Sequence, residues 1–588
     1  MHSLTRWSRL TAAVAILGIA GCKSLEVTNP NAPDAVLGLS DPGAVEGLVT
    51  GAMRNWVQTR QSYDASLVLS AMADSYTASW NNFNLRYYTS YNVECPNRCG
   101  WDNASISPFR FEIETYWYGY YGVLSSVNDA LRAIRIGGLE LGDEDNTAMH
   151  EAVAVMLQGA VYANIALAYD KGFAPDETDD VSTFAGAAAL PLYTRQELRD
   201  KAIEKFDEAI ALMTATPFSS TPSTWLGAVN GPTYSSAQLI KLMNTMKAEV
   251  VAFFGRTESE NLAANWAQVK TFASAGMSTG TPFDFEFFQD NVNMVDGVKN
   301  WSNDMTTMRV DTRLAHILTN GPNPALIHRD PWVDEDPQPD AFDKRVGDGS
   351  WGPDDDILGV GTVAATANAG SDFAWAAFNV MNPARGIFHF GNLAQIRYSY
   401  AAYPGYGLPS EDGTGLMPVY TATMNDLLWA EGLARTGDLA GAATLINKTR
   451  VTRGGLSTLT AGSGSAAIIK AALYEQEIEL LGLGASPFWI RRRVTPEGYQ
   501  VGQACPGVLC LWQQTPREMP VPGKELGVLQ QEFYTFGGPL LGDCGTTECG
   551  TASAASLSRS GDKVWSVREH GDALIKQQLQ MSKKRRRF

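Results

Sequence analysis

Histidine is scarce in this chain, six in 588 residues, and the six are scattered. Their spacing yields no catalytic triad and no imidazole cluster for a metal. His150-Glu151 opens a helical stretch, but Ala154 stands where a zincin helix needs its second histidine. No Gly-x4-Gly-Lys phosphate loop occurs, and no glycine-rich turn sits between a strand and a helix as a dinucleotide fingerprint requires. Gly276-Met277-Ser278-Thr279-Gly280 has the letters of a nucleophile elbow, yet it follows a helix and runs into Thr281-Pro282. An elbow must instead join a strand to a helix. Basic charge is short as well: 46 Lys and Arg against 63 Asp and Glu leave a net charge of −17. Binding phosphate backbones needs a basic face, which argues against nucleic acid as a partner. The one basic block, Lys583 to Arg587, is a terminal run that solvent accounts for. No catalytic residue, metal or cofactor is therefore assigned.

Cysteine is also sparse, and its placement is informative. Arg6 and Arg9 precede the apolar stretch Leu10 to Ala20, and Ile19-Ala20-Gly21 leads into Cys22. A basic start, a short apolar core and small residues before the cut describe a secretory signal, too short to span a membrane. The run into Cys22 resembles a bacterial lipobox, whose cysteine is acylated. Residues 1–21 are then the signal peptide and 22–40 a lipidated tether, Asn- and Pro-rich and without a sustained period. The other six cysteines form three close pairs: Cys95 with Cys99, Cys505 with Cys510, Cys544 with Cys549. In an oxidising compartment these are expected to be disulfides that staple surface loops. Zinc is the competing use of such spacings, disfavoured by the missing histidines.

What the chain has in quantity is helical periodicity. Asp41-Pro42 reads as a helix start, with Val45, Leu48, Val49, Ala52 and Met53 at helical spacing after it. Further helices are predicted over Tyr120–Ile136, Met149–Tyr169, Thr194–Met213, Ser235–Arg256, Asn261–Ala275, Tyr420–Thr436, Leu439–Thr452 and Ala466–Leu483. In Glu197–Met213 the stripe Leu198, Ala202, Phe206, Ala209, Ile210 and Met213 faces inward, and the charges lie on the other faces. Leu427–Arg450 makes two helices joined at Thr436-Gly437-Asp438, with Ala430, Ala434, Ala440, Ala442 and Ala443 along the seam. Small residues there let helices approach closely, as in a tetratricopeptide unit. Between 276 and 415 Gly, Pro, Asn and Asp become dense and tryptophans sit in loops. The fold class expected is mainly α: tetratricopeptide-like helical hairpins scaffolding a large irregular insertion with short strands. Its parts are a helical 41–275, the irregular insertion 276–415, and 416–588 with a helix pair and disulfide-stapled loops.

The order of these segments resembles the SusD/RagB family of outer-membrane nutrient-binding lipoproteins. Leu39-Ser40-Asp41-Pro42 through Ala52 is similar to that family's first helix, and Tyr120–Ala130 to its "W..lY..I..aN" helix. Glu151–Gly172 resembles the helix that ends in a Tyr-Gly step. Ala430, Glu431, Gly437, Ala442, Asn447, Arg450, Arg453 and Gly455 match its "AE…G…A…iN.vR.RaG" block, and Pro520, Pro522 and Glu525 its late "P.P..E". Glu475, Glu479, Gly484, Arg491 and Arg492 fit a further block, but Leu483, Ser486 and Trp489 stand where Glu, Arg and Asp are usual. The resemblance implies a non-catalytic receptor, lipid-anchored and facing outside on the outer membrane. It would bind glycans or other oligomeric nutrients and pass them to a SusC-like TonB-dependent barrel transporter. Two alternatives from other classes are a surface glycoside hydrolase, whose acid pair no spacing would reveal, and a helical-repeat assembly scaffold.

Sugars offer apolar C–H faces and rims of hydroxyls, so a binder needs flat aromatic platforms beside amides and carboxylates. Trp80-Asn81-Asn82 and Trp101-Asp102-Asn103 have that chemistry, as does Trp351 in the insertion. The candidate ligand-binding residues are thus Trp80, Asn81, Asn82, Trp101, Asn103 and Trp351. Packing of the insertion against the helices is the competing use of the rings. Asp348 and Asp354-Asp355-Asp356 supply oxygens a calcium ion would accept, but lack a loop motif's spacing and read as a solvated acidic turn.

Overall fold

The structure, a computed structural model, describes residues 38–78, 84–88, 99–179, 181, 186, 190–290, 292–302, 308–320, 343–351, 372–376, 393–395, 397–398, 415–493, 501–502, 511–512 and 515–537. Cys22, Cys95, Cys505, Cys510, Cys544 and Cys549 lie outside them.

Helix α1 (Pro42–Arg60) starts as its sequence dictates: Asp41 Oδ1 accepts from the Gly43 amide at 2.9 Å and Pro42 takes the first turn. α2 (Phe111–Leu131) begins well before the expected Tyr120, so Tyr116-Trp117-Tyr118 lies inside it. Tyr116, Trp117 and Tyr120 are buried, whereas Tyr118 is exposed. α3 (Glu144–Ala168) is buried almost all round from Met149 onward, which explains its unbroken apolar character. α4 (Arg195–Ala215) and α5 (Ser236–Ala252) open with capping boxes, Thr194 with Glu197 and Ser235 with Gln238. The expected helix 261–275 is two: Glu258–Leu262, then α6 (Trp266–Ser274), restarted by Asn265, which caps the Gln268 amide. α7 (Ala422–Arg435) and α8 (Leu439–Arg450) turn at Gly437, whose φ of 94° suits glycine. α9 (Ser465–Glu479) and α10 (Ser486–Arg491) complete the series.

From α1 to α9 each helix packs on the one before it, and α10 packs on Val68–Met72, just after α1. The stack thereby closes on its own start around one continuous apolar core. Close approach is made by small residues: a Cβ on Gly159 would meet Phe206 at 2.9 Å, and one on Gly432 would meet the Lys270 backbone nitrogen at 2.9 Å. Ala430, Ala434, Ala442 and Ala443 are buried in the seam, but Ala440 is exposed.

The short strands of the insertion and of the elements it meets are β1 (Tyr76–Thr77), β2 (Phe285–Gln289), β3 (Arg309–Val310), β4 (Val346–Trp351), β5 (Phe373–Ala376), β6 (Leu393–Gln395) and β7 (Gly415–Tyr420). β2 and β7 are antiparallel, with Phe287 opposite Met417, so the chain leaves and re-enters the body at one ladder. β4, β5 and β6 form a three-stranded sheet in that order. The insertion also contains helices Gly297–Ser302 and Thr312–Asn320, which its loop-like composition had concealed. The architecture is mainly helical with short strands, as the sequence led one to expect.

Candidate ligand-facing site

β1 is the root of the early aromatic loop, and it pairs with the insertion: Tyr76 opposes Val310 and Thr77 opposes Arg309, antiparallel. The Tyr76 hydroxyl bonds Gln395 of β6, the Asp311 amide donates to Ser75 O at 3.1 Å, and Arg313 Nε donates to Asp74 O at 2.9 Å. The early loop therefore departs from the edge where β3 and β6 meet it. Trp80, Asn81 and Asn82 lie outside the described residues. Trp351 ends β4 with its backbone opposite Ala376; its side chain, like those of Asp348 and Asp354 to Asp356, is outside them too.

Trp101 and Asn103, expected as a binding platform, are structural here. Trp101 is 2 % exposed, its Nε1 donates to Glu518 O at 2.7 Å, and its ring lies 5.0 Å from Tyr88. A ring so enclosed has no face to stack on a sugar. Asn103 is 1 % exposed and its Nδ2 donates to Val521 O at 2.7 Å and Tyr534 O at 3.2 Å. Both residues fasten a strap, residues 515–537, to the early loop; Gly523 N→Asn103 O (2.9 Å) and Thr535 Oγ1→Trp101 O (2.7 Å) add to the seam. Cys99, beside them, is disulfide-bonded. Nearby Tyr87 stacks on Phe109 with ring centroids 3.9 Å apart.

The motif carboxylates and arginines turn out to bolt the insertion to the helices. Arg345 donates to Asp343, to Glu475 at 2.8 Å and to Glu479 at 2.8 Å, all fully buried. Arg397 and Arg453 also reach Glu479 and Asp372. Glu475 and Glu479 are one turn apart on α9 and share a face, which is why both meet the same guanidinium. Burial lifts Glu475 and Asp372 above the ordinary carboxylate range despite Arg345 and Arg397. Burial also opposes ionisation of Glu479, but Arg397, Arg345 and Arg453 outweigh it and hold that carboxyl below its ordinary value. Arg313 pairs with Glu477, and Arg493 with Glu431 at 3.0 Å. No spacing in the sequence marked Arg313, Asp343 or Arg345.

The substituted block has its own solution. With Trp489 in place of an acid, Arg492 lies 4.3 Å above the indole and donates to three backbone carbonyls: Leu167 at 2.6 Å, Arg517 at 3.0 Å and Phe253 at 3.1 Å. Arg256 donates to Ala166, Leu167 and Tyr169 O. Two cations thus satisfy the carbonyls that end α3, where the helix dipole is negative. Beside them Asp170 accepts from the Tyr534 hydroxyl at 2.9 Å; burial, with Glu518 adding to it, pushes its carboxyl up to about 7.

A helical stack closes on its own start and carries an insertion rooted in the β2–β7 ladder. Among solved structures it has the SusD-like fold. A SusD homolog from Bacteroides thetaiotaomicron matches with a TM-score of 0.54 at 14% identity, over 85% of this chain and 98% of that one. A SusD superfamily protein from Parabacteroides distasonis gives 0.51 at 12%, over 82% and 97%. A SusD-like carbohydrate binding protein from Bacteroides fragilis gives 0.51 at 12%, over 77% and 86%. No family model and no curated protein matches the chain.

Proposed function

We propose that this chain is a lipid-anchored receptor on the outer face of the outer membrane. It binds glycans or other oligomeric nutrients without chemical change and hands them to a SusC-like TonB-dependent barrel. One observation carries the reading: β1 pairs with β3, so the segment bearing Trp80, Asn81 and Asn82 departs beside the insertion that bears Trp351. Indole faces beside amides suit sugar rings. The fold supports it, since a solved protein with this fold is described as carbohydrate binding. Cys22 supplies the anchor, and the pairs Cys95–Cys99, Cys505–Cys510 and Cys544–Cys549 staple loops.

Calorimetric titration of the mature chain against polysaccharide and peptide panels tests the binding. Trp80→Ala and Trp351→Ala are expected to weaken it at least about tenfold, about 1.4 kcal/mol, with the far-UV spectrum unchanged. Release of shorter oligosaccharides would overturn the non-catalytic reading. Fatty-acid labelling that survives Cys22→Ser would overturn the anchor, and failure to co-purify with a barrel transporter would overturn the hand-over.

A further inference from the structure

A cavity of ≈ 280 Å³ lies between α2, the segment after Phe173 and the short helix Gly523–Val528, with no residue of the early loop or the insertion in its lining. Its walls are apolar, with Leu124, Phe173, Pro175, Val528 and Leu529 among them. The polar groups of its inner wall are already engaged by the protein. The Tyr121 hydroxyl accepts from Phe173 N at 2.6 Å and donates to Phe173 O at 3.0 Å. Asn128 donates to Pro175 O at 2.9 Å and accepts from Gln158 at 2.8 Å. Arg132 donates to Glu177 O at 3.1 Å and Asp179 O at 2.6 Å and lies 3.7 Å from Asp129.

This leaves little for a polar guest inside. Each hydroxyl or charge carried inward would lose water without a partner, at about 1–3 kcal/mol per group and more for a charge. The volume holds a single ring or branched aliphatic group, just under the range of ligand pockets, roughly 300–1,000 Å³. The Tyr121 and Phe173 rings meet at 66° with centroids 6.1 Å apart, an edge-to-face corner that a third aromatic ring can extend. The lining also includes Ser125, which is exposed, and the carboxylates Asp129 and Glu525. Those groups accept hydrogen bonds from hydroxyls, and the two carboxylates outnumber the one cation of the lining, Arg132, so the field at the mouth disfavours anions on a chain already at −17.

We propose that this cavity is a second binding site, for the uncharged aromatic end of a small amphipathic molecule whose hydroxyl-bearing part stays at the mouth, and that it rejects anionic aromatics. The site stands apart from the receptor reading above and does not need it.

The test is titration of the full mature chain with phenyl β-glucoside, methyl β-glucoside and benzoate. Phenyl β-glucoside is expected to bind at least tenfold more tightly than the methyl compound, and benzoate not to compete. Ser125→Trp, which places an indole from an exposed position into the mouth, should abolish aryl binding. Trp80→Ala should leave it intact. Equal affinity for the two glucosides, competition by benzoate, unchanged aryl binding in Ser125→Trp, or its loss in Trp80→Ala would each overturn the proposal.

Discussion

Replacing Arg345 by Met removes one of three cations that face four buried carboxylates: Arg345, Arg397 and Arg453 against Asp343, Asp372, Glu475 and Glu479. The methionine fills much of the space but leaves Asp343, Glu475 and part of Glu479 without their shared donor. A single close pair at an effective dielectric near 20 is worth about 4 kcal/mol before desolvation. Removing one partner of a buried pair costs about 3–5 kcal/mol, because the remaining charge stays out of water. Arg345→Met is therefore expected to lose about 3–5 kcal/mol in urea unfolding at pH 7.5. The loss should depend on pH with a definite sign. Glu475 is held above its ordinary range by burial even with Arg345 beside it, and losing that cation raises it further, so it destabilises most when ionised. As pH falls through that raised value Glu475 protonates, and the gap to wild type narrows. A loss below about 1 kcal/mol, or one independent of pH, would refute the argument that this cluster holds the insertion on α9.

Three further outcomes are expected. Gly432→Ala forces a methyl onto the Lys270 backbone nitrogen at the α6–α7 contact and should cost about 1–3 kcal/mol in thermal or urea unfolding. Trp101→Ala should cost about 3–5 kcal/mol and loosen residues 515–537, seen as faster hydrogen exchange there; unchanged stability would return the indole to the ligand. Asp170, raised by burial to about 7 in the folded chain, should make the protein more stable as pH drops from 8 toward 5, since the unfolded carboxyl releases its proton more readily. Asp170→Asn should flatten that slope in denaturation curves taken across the range.

Helices were legible where one face alone is buried. The stripe Leu198, Ala202, Phe206, Ala209 and Met213 is buried as its spacing requires, and Asp41 and Thr194 cap where their chemistry allows. The start of α2 was hidden for two reasons. Arg110 at its N-cap makes no side-chain cap, and Glu112 and Glu114 in the first turn are buried, which breaks the apolar pattern. Trp101 could not be placed by spacing at all. An indole between Asn, Asp and Cys reads alike whether it faces a sugar or a carbonyl, and its partner Glu518 is 417 positions away. The glutamates Glu475 and Glu479 were visible as a motif, but their partner Arg345 became so only when the insertion folded back onto α9.

The β2–β7 ladder has an evolutionary corollary. Because residues 289 and 415 are held side by side, everything between them can lengthen, shorten or be exchanged at a closure cost that rises only with the logarithm of its length. What a transplanted segment must keep is small: arginines in register with Glu477, Glu475 and Glu479, without which the acids on α9 would be stranded in the interior. A lineage could thus exchange the whole cassette while conserving three charges.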